Sequence, residues 1–238
     1  MSYSAAQAAQ GKAGRIVGIA YLVTNVTAIF AAFYVRAHLI VWESAGQTAH
    51  NIVGSETLFR VGIASDLVAF ACDVVLAAAF YILLKPVGRG LALTGSFFRL
   101  ADSAILGVMT ITSFIALRLL SGAEYLRVFP ADQLQALARL VLGAHEAGYL
   151  IGLIFFSLGS TCTSYLLAKG RLIPKPLALL GVIASLLLLV TLLLQIIFPR
   201  VADALGIVAY LPILVFELAT GLWLSIKGVS LKDPQSGS

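Results

Sequence analysis

Residues 177–198 contain no charged side chain and almost no polar one. A helix needs about 20 apolar residues to cross the hydrocarbon core of a bilayer, so this stretch has the length and the chemistry of a membrane span. Comparable runs fall at 16–35, 58–84, 91–120, within 131–168 and at 205–226. Six crossings joined by short connections use up nearly the whole chain, which restricts the fold to an all-α polytopic transmembrane bundle of about six helices. The pattern predicts a polar tail over 1–14, a single six-span domain over 15–227 and a disordered tail over 228–238.

Composition agrees. The chain is 60% hydrophobic and 11% charged, against about 45–50% and about 25% in soluble domains, so lipid is its solvent. The first run is longer than the h-region of about 7–15 residues in a cleaved signal peptide and is read as an uncleaved span. A connection over 36–57 has room for a short surface helix. Two turns, Lys85-Pro86-Val87-Gly88-Arg89-Gly90 and the Pro-containing segment 169–176, carry helix breakers. The last run is interrupted by Pro212.

Charge gives the orientation. With six spans, both termini and the turns at Lys85 and Lys169 share one side. That side holds Lys12, Lys85, Lys169, Lys175, Lys227 and Lys232, with Arg15, Arg89 and Arg171. The other side holds Arg36, Arg60, Arg118, Arg127, Arg139 and Arg200 but no lysine. The positive-inside rule therefore puts both termini in the cytoplasm, as expected of a multi-pass protein of an inner (cytoplasmic) membrane. The basic residues sit at helix ends rather than in a patch interleaved with aromatics, which argues against nucleic acid as a partner. The lipid bilayer is the partner that composition demands. The pattern leaves the oligomeric state open.

The informative residues are the ionisable ones inside the runs, because an acid or an arginine at the centre of a span costs roughly 2.5–3.5 kcal/mol to insert. At about 1.5 Å per residue from the lysine-bearing ends, Asn25, Asp73, Asp102 and Glu217 come out roughly 15 Å deep, with Arg99 about one turn shallower. Arg99 and Asp102 are three apart on one helix and can touch, so Arg99 is expected to face the bundle interior and pair with Asp102 or Asp73. One cation among three acids leaves at least one carboxyl to hold a proton. Asp66, His145 and Glu146 lie nearer the opposite face, and Tyr149 shares a helix face with Glu146. Asp66 and His145 are expected to lie close together, which would make this outer layer sensitive to external pH.

Negative readings matter as much. There is no HExxH, no nucleophile elbow, no phosphate loop and no dinucleotide fingerprint. Cys72 and Cys162 lack metal-ligand spacing and read as packing residues. No metal, cofactor or catalytic set follows from the residues. Three functions fit. The first is binding or moving a small solute, with proton coupling at Asp73, Arg99, Asp102, Glu217 and Asn25. The second is a membrane-embedded enzyme using Asp66, His145, Glu146 and Tyr149. The third is a structural or sensor subunit whose charges only hold the helices together.

The chain also resembles a bacterial membrane family, that of domain of unknown function 4386. The residues that carry the resemblance are Asn51-Ile52, the segment Ser55-Glu56-Thr57-Leu58-Phe59-Arg60, Asp66-Leu67, Asp73-Val74, Pro86-Val87, Phe98-Arg99-Leu100, His145, Gly148-Tyr149, Gly152-Leu153 and Phe155-Phe156. The resemblance runs from the first span into the fifth and hardly touches the sixth. It implies a multispan membrane protein and no particular activity, and it sets Asp66, Asp73, Arg99 and His145 within the family's motif segments.

Overall fold

A computed structural model describes residues 3–198 and 206–229. Leu205, Arg200, Lys232 and most of the expected C-terminal tail lie outside the described residues. Six α-helices account for most of the rest, and no strand occurs among the described residues: α1 (Tyr3–Ile29), α2 (Ala45–Gly54), α3 (Glu56–Leu119), α4 (Ala131–Gly170), α5 (Lys175–Ile197) and α6 (Leu211–Ile226). α1 begins ahead of the expected first span and is prolonged by a wide π-helical turn, Phe30–Arg36, and a short helix, Ala37–Leu39. The Ala37 N–H reaches back five residues to the Ala32 carbonyl, where an α-helix reaches back four.

α3 is two spans in one element. At about 1.5 Å per residue its 64 residues would be about 96 Å long, some three times the hydrocarbon thickness of about 30 Å. The chain instead reverses near Gly88, whose φ of −174° and ψ of 91° are extended. The Ser96 hydroxyl donates to the Ala77 carbonyl at 2.9 Å, fastening the second arm to the first. Pro86, expected to break the helix, stays within it and the break falls two residues later. Pro212 does mark an interruption of the last run: the 3-10 turn Gly206–Ala209 gives way at Tyr210, and α6 starts anew at Leu211. The proline lies in the first turn of α6, where the missing N–H has no intrahelical partner to lose.

Four helical segments are long and apolar enough to cross a membrane: Gln7–Leu39, Glu56–Leu119, Ala131–Gly170 and Lys175–Ile197; α6 is a shorter apolar helix. Counting the two arms of α3 separately and adding α6 gives the six-span reading. The distribution of side chains identifies the solvent. Ile183 is 65% exposed on α5, while Arg99 is 0% and Glu217 7% exposed, the reverse of a protein folded in water.

The chain sorts into two compact units. The first comprises the described residues of Met1–Asn25, Cys72–Asp102 and Leu153–Ser238. Its core is leucine and phenylalanine, with Phe80, Leu83, Leu84, Leu166, Leu167, Leu188 and Phe216 fully buried. Small residues let the helices close up, as in other membrane bundles. A Cβ on Gly159 of α4 would lie 3.0 Å from the Gly95 carbonyl and 3.1 Å from Cγ of Arg99, so glycine there allows α4 to pass directly over Arg99.

The second unit comprises Val26–Ala71 and Ser103–Gly152. Val35, Leu39, Ile52, Phe59, Ile63 and Leu142 are among its core residues. The expected surface helix is α2, capped by Ser44, whose hydroxyl accepts the Gln47 N–H at 3.2 Å. Arg139 ties the connection down: both Nε and Nη2 donate to the Trp42 carbonyl, and the guanidinium lies 4.0 Å from the centre of the Trp42 ring.

Candidate functional site

Each unit buries a polar cluster. In the first, the centre is Arg99 on the second arm of α3. Its Nη1 donates to Asp73 Oδ1 at 3.0 Å. Its Nη2 is shared among Glu217 Oε1 at 3.2 Å, the Tyr21 hydroxyl at 3.2 Å and Ser160 Oγ at 3.3 Å. The rings of Phe156, Tyr21 and Phe80 surround the guanidinium, 5.0, 5.3 and 5.6 Å from Cζ to ring centre, so cation–π attraction stands in for the water it has lost. Asn25 completes the group. Its amide donates to Glu217 Oε2 at 3.1 Å and to the Tyr21 carbonyl at 2.9 Å, which orients the carboxylate.

Asp102 is the exception in this cluster. It is buried, within electrostatic reach of Asp73, Arg99 and Glu217, yet its Oδ1 has no hydrogen-bond partner among the described residues. Arg99 is thus ion-paired with Asp73 and with Glu217, a partner contributed by α6. Asn25, Asp73, Arg99, Asp102 and Glu217, singled out by depth, do gather in one place.

In the second unit the centre is Asp66 on the first arm of α3. Arg36, at the end of the π-helical turn, donates from Nη1 to Asp66 Oδ2. The Arg36 guanidinium lies 5.6 Å from the Tyr149 ring centre, and that ring is 6.0 Å from the His145 ring. The π-helical turn matters here: one residue more than an α-turn rotates every following side chain by about 100°, which fixes where Arg36 emerges. Glu146 stands at the edge of the group, within electrostatic reach of Arg36. It is exposed, whereas its neighbour His145 is buried, because successive residues on a helix point about 100° apart. Among the described residues no three His, Cys, Asp or Glu side chains converge as a metal site.

Sequence reasoning overlooked Tyr21, Ser160 and Arg36. Tyr21 and Asn25 are four apart and share a helix face, a signal available in the sequence. Arg36 had read as an orienting charge at a helix end; with the helix continuing to Leu39 it lies within the segment and pairs with Asp66.

A family model described as Domain of unknown function (DUF4386) matches residues 16–228. The match extends through α6, further than the motif resemblance reached. No curated protein and no solved structure matches the chain.

Proposed function

The chain belongs to the domain of unknown function 4386 family, and on that premise we propose that this member is a small membrane carrier that moves a small solute with proton coupling, Asp73, Arg99, Asp102, Glu217 and Asn25 forming the coupling site. The observation that carries the reading is the excess of acid. One guanidinium is shared by Asp73 and Glu217, and a third buried carboxyl, Asp102, has an oxygen with no hydrogen-bond partner among the described residues. Burying an uncompensated carboxylate costs several kcal/mol, so one cation among three carboxyls favours at least one proton held within the cluster. A proton that binds and leaves there could drive a solute. We further propose that the protein resides in a bacterial cytoplasmic membrane with both termini inside, on the strength of the lysine distribution.

The test is infrared difference spectroscopy of the purified protein in lipid after a pH jump. A protonated-carboxyl band is expected in the wild type and is expected to vanish in Asp102→Asn. Its absence from the wild type, or its survival in Asp102→Asn, Asp73→Asn and Glu217→Gln alike, overturns the reading. Lumenal pH in proteoliposomes challenged with amino acids, sugars and amines is the transport readout.

A second reading, a purely structural clamp, is favoured by the enclosure of Arg99 under three rings. It predicts no such band.

A further inference from the structure

The Asp66 cluster holds two buried acceptors that the described residues leave unfilled. His145 is 2% exposed, with Nδ1 3.2 Å from the Met109 carbonyl oxygen. A carbonyl oxygen only accepts, so Nδ1 carries the hydrogen, and in that tautomer of the imidazole Nε2 is the acceptor. Nε2 has no partner among the described residues. Asp66 is 3% exposed. Arg36 occupies its Oδ2, and its Oδ1 is likewise without a partner among the described residues. His145 is within electrostatic reach of Asp66, and the Tyr149 ring sits against both the Arg36 guanidinium and the His145 ring.

Leaving a buried acceptor unmatched forfeits the hydrogen bonds it made to water. Two in one cluster, neither with a donor among the described residues, call for hydrogen donors from elsewhere. The charge of that donor is constrained as well: the buried Arg36 and Asp66 cancel, and the further charge within electrostatic reach of Arg36, Glu146, is exposed, so an ionic guest would lack a buried counter-charge, whereas a neutral one needs none.

We propose that Asp66 and His145, with Arg36 and Tyr149, form a binding site for a small uncharged molecule that presents two donor hydrogens, of the diol or primary-amide class. One hydrogen meets Asp66 Oδ1 and the other His145 Nε2, while the Tyr149 ring covers the apolar side of the guest. The site is independent of the Arg99 cluster and does not require transport.

The experiment is nitrogen NMR of protein labelled at histidine, in phosphatidylcholine nanodiscs. The chain has only His38, His50 and His145, so His145→Phe assigns the third ring, and unchanged His38 and His50 signals show that the variant is folded. The His145 ring is expected to be protonated at Nδ1 alone. Its Nε2 signal is expected to move saturably with glycerol or with acetamide, and saturation transfer to either probe should disappear in His145→Phe. Nanodiscs containing phosphatidylglycerol separate the sources. A moved Nε2 signal there without added glycerol identifies a lipid headgroup diol as the guest, and movement only with added probe identifies a free solute; both support the site. A ring protonated at both nitrogens overturns the proposal, because His145 then supplies its own hydrogen to the cluster. A ring protonated at Nδ1 whose Nε2 ignores both probes and the lipid overturns it too, leaving water as the sole occupant. The wild-type readings decide the matter even where His145→Phe does not fold.

Discussion

The Asn25 side-chain amide donates to Glu217 at 3.1 Å, joining residues 192 positions apart in the sequence. The bond fixes the middle of α6, which carries the carboxylate, against α1. Asn25→Ala removes it together with the bond to the Tyr21 carbonyl. A buried hydrogen bond to a charged group contributes about 1.5–3 kcal/mol, and a loss of that order is expected in reversible unfolding in detergent. An unchanged unfolding midpoint would mean that Glu217 finds its donor elsewhere.

Arg99 makes a sharper case. Arg99→Met leaves Asp73 and Glu217 buried without their cation, and a loss of about 3–5 kcal/mol is expected. Arg99→Met combined with Asp73→Asn and Glu217→Gln removes the charges together and should recover most of that loss. Equal destabilisation of the single and triple variants, measured in the same unfolding assay, would show that packing rather than charge governs the site.

The end of α4 offers a stabilising change. The N–H of Leu172 bonds the Leu167 carbonyl and that of Arg171 the Ala168 carbonyl, the paired closure in which glycine usually follows the helix. Here the position with φ of 52° is Arg171, and glycine stands one residue early at 170. Arg171→Gly relieves a left-handed backbone that costs an ordinary residue about 1 kcal/mol. A rise in the unfolding midpoint is expected, and a fall would assign the arginine side chain a stabilising role at that turn.

Orientation is tested by labelling. Single cysteines at Lys85 and Lys169 are expected to react with an impermeant maleimide only after the cytoplasmic face is opened. Reaction of either in intact cells would invert the proposed topology.

The sequence disclosed the Arg99 cluster because charges in apolar runs stand out, and because counting residues from helix ends converts position into depth. Asn25, Asp73, Arg99, Asp102 and Glu217 were all reachable in that way. Tyr21, Ser160 and the rings around Arg99 were not, since uncharged residues are commonplace in membrane spans and only the fold reveals which of them touch. Arg36 was obscured by an assumption of regular helix. The π-helical turn prolongs α1 past it, and no local residue preference announces such a turn. The place of the break in α3 was misjudged for a related reason. Proline predicts a breaker, but packing decided that the reversal falls at Gly88.

That reversal has a consequence for how the protein is made. The two arms of α3 are joined with no intervening loop and fastened by the Ser96–Ala77 bond, so neither arm can be threaded into the bilayer and left to wait for the other with a free hand in its direction. They are expected to enter as a helical hairpin, the direction of the first arm setting that of the second. Lys85 and Arg89, which flank the fold-back, then govern the handedness of insertion for two spans at once. Neutralising that pair is a change in biogenesis more than in stability: the finished bundle would lose little, while the insertion machinery would lose its signal.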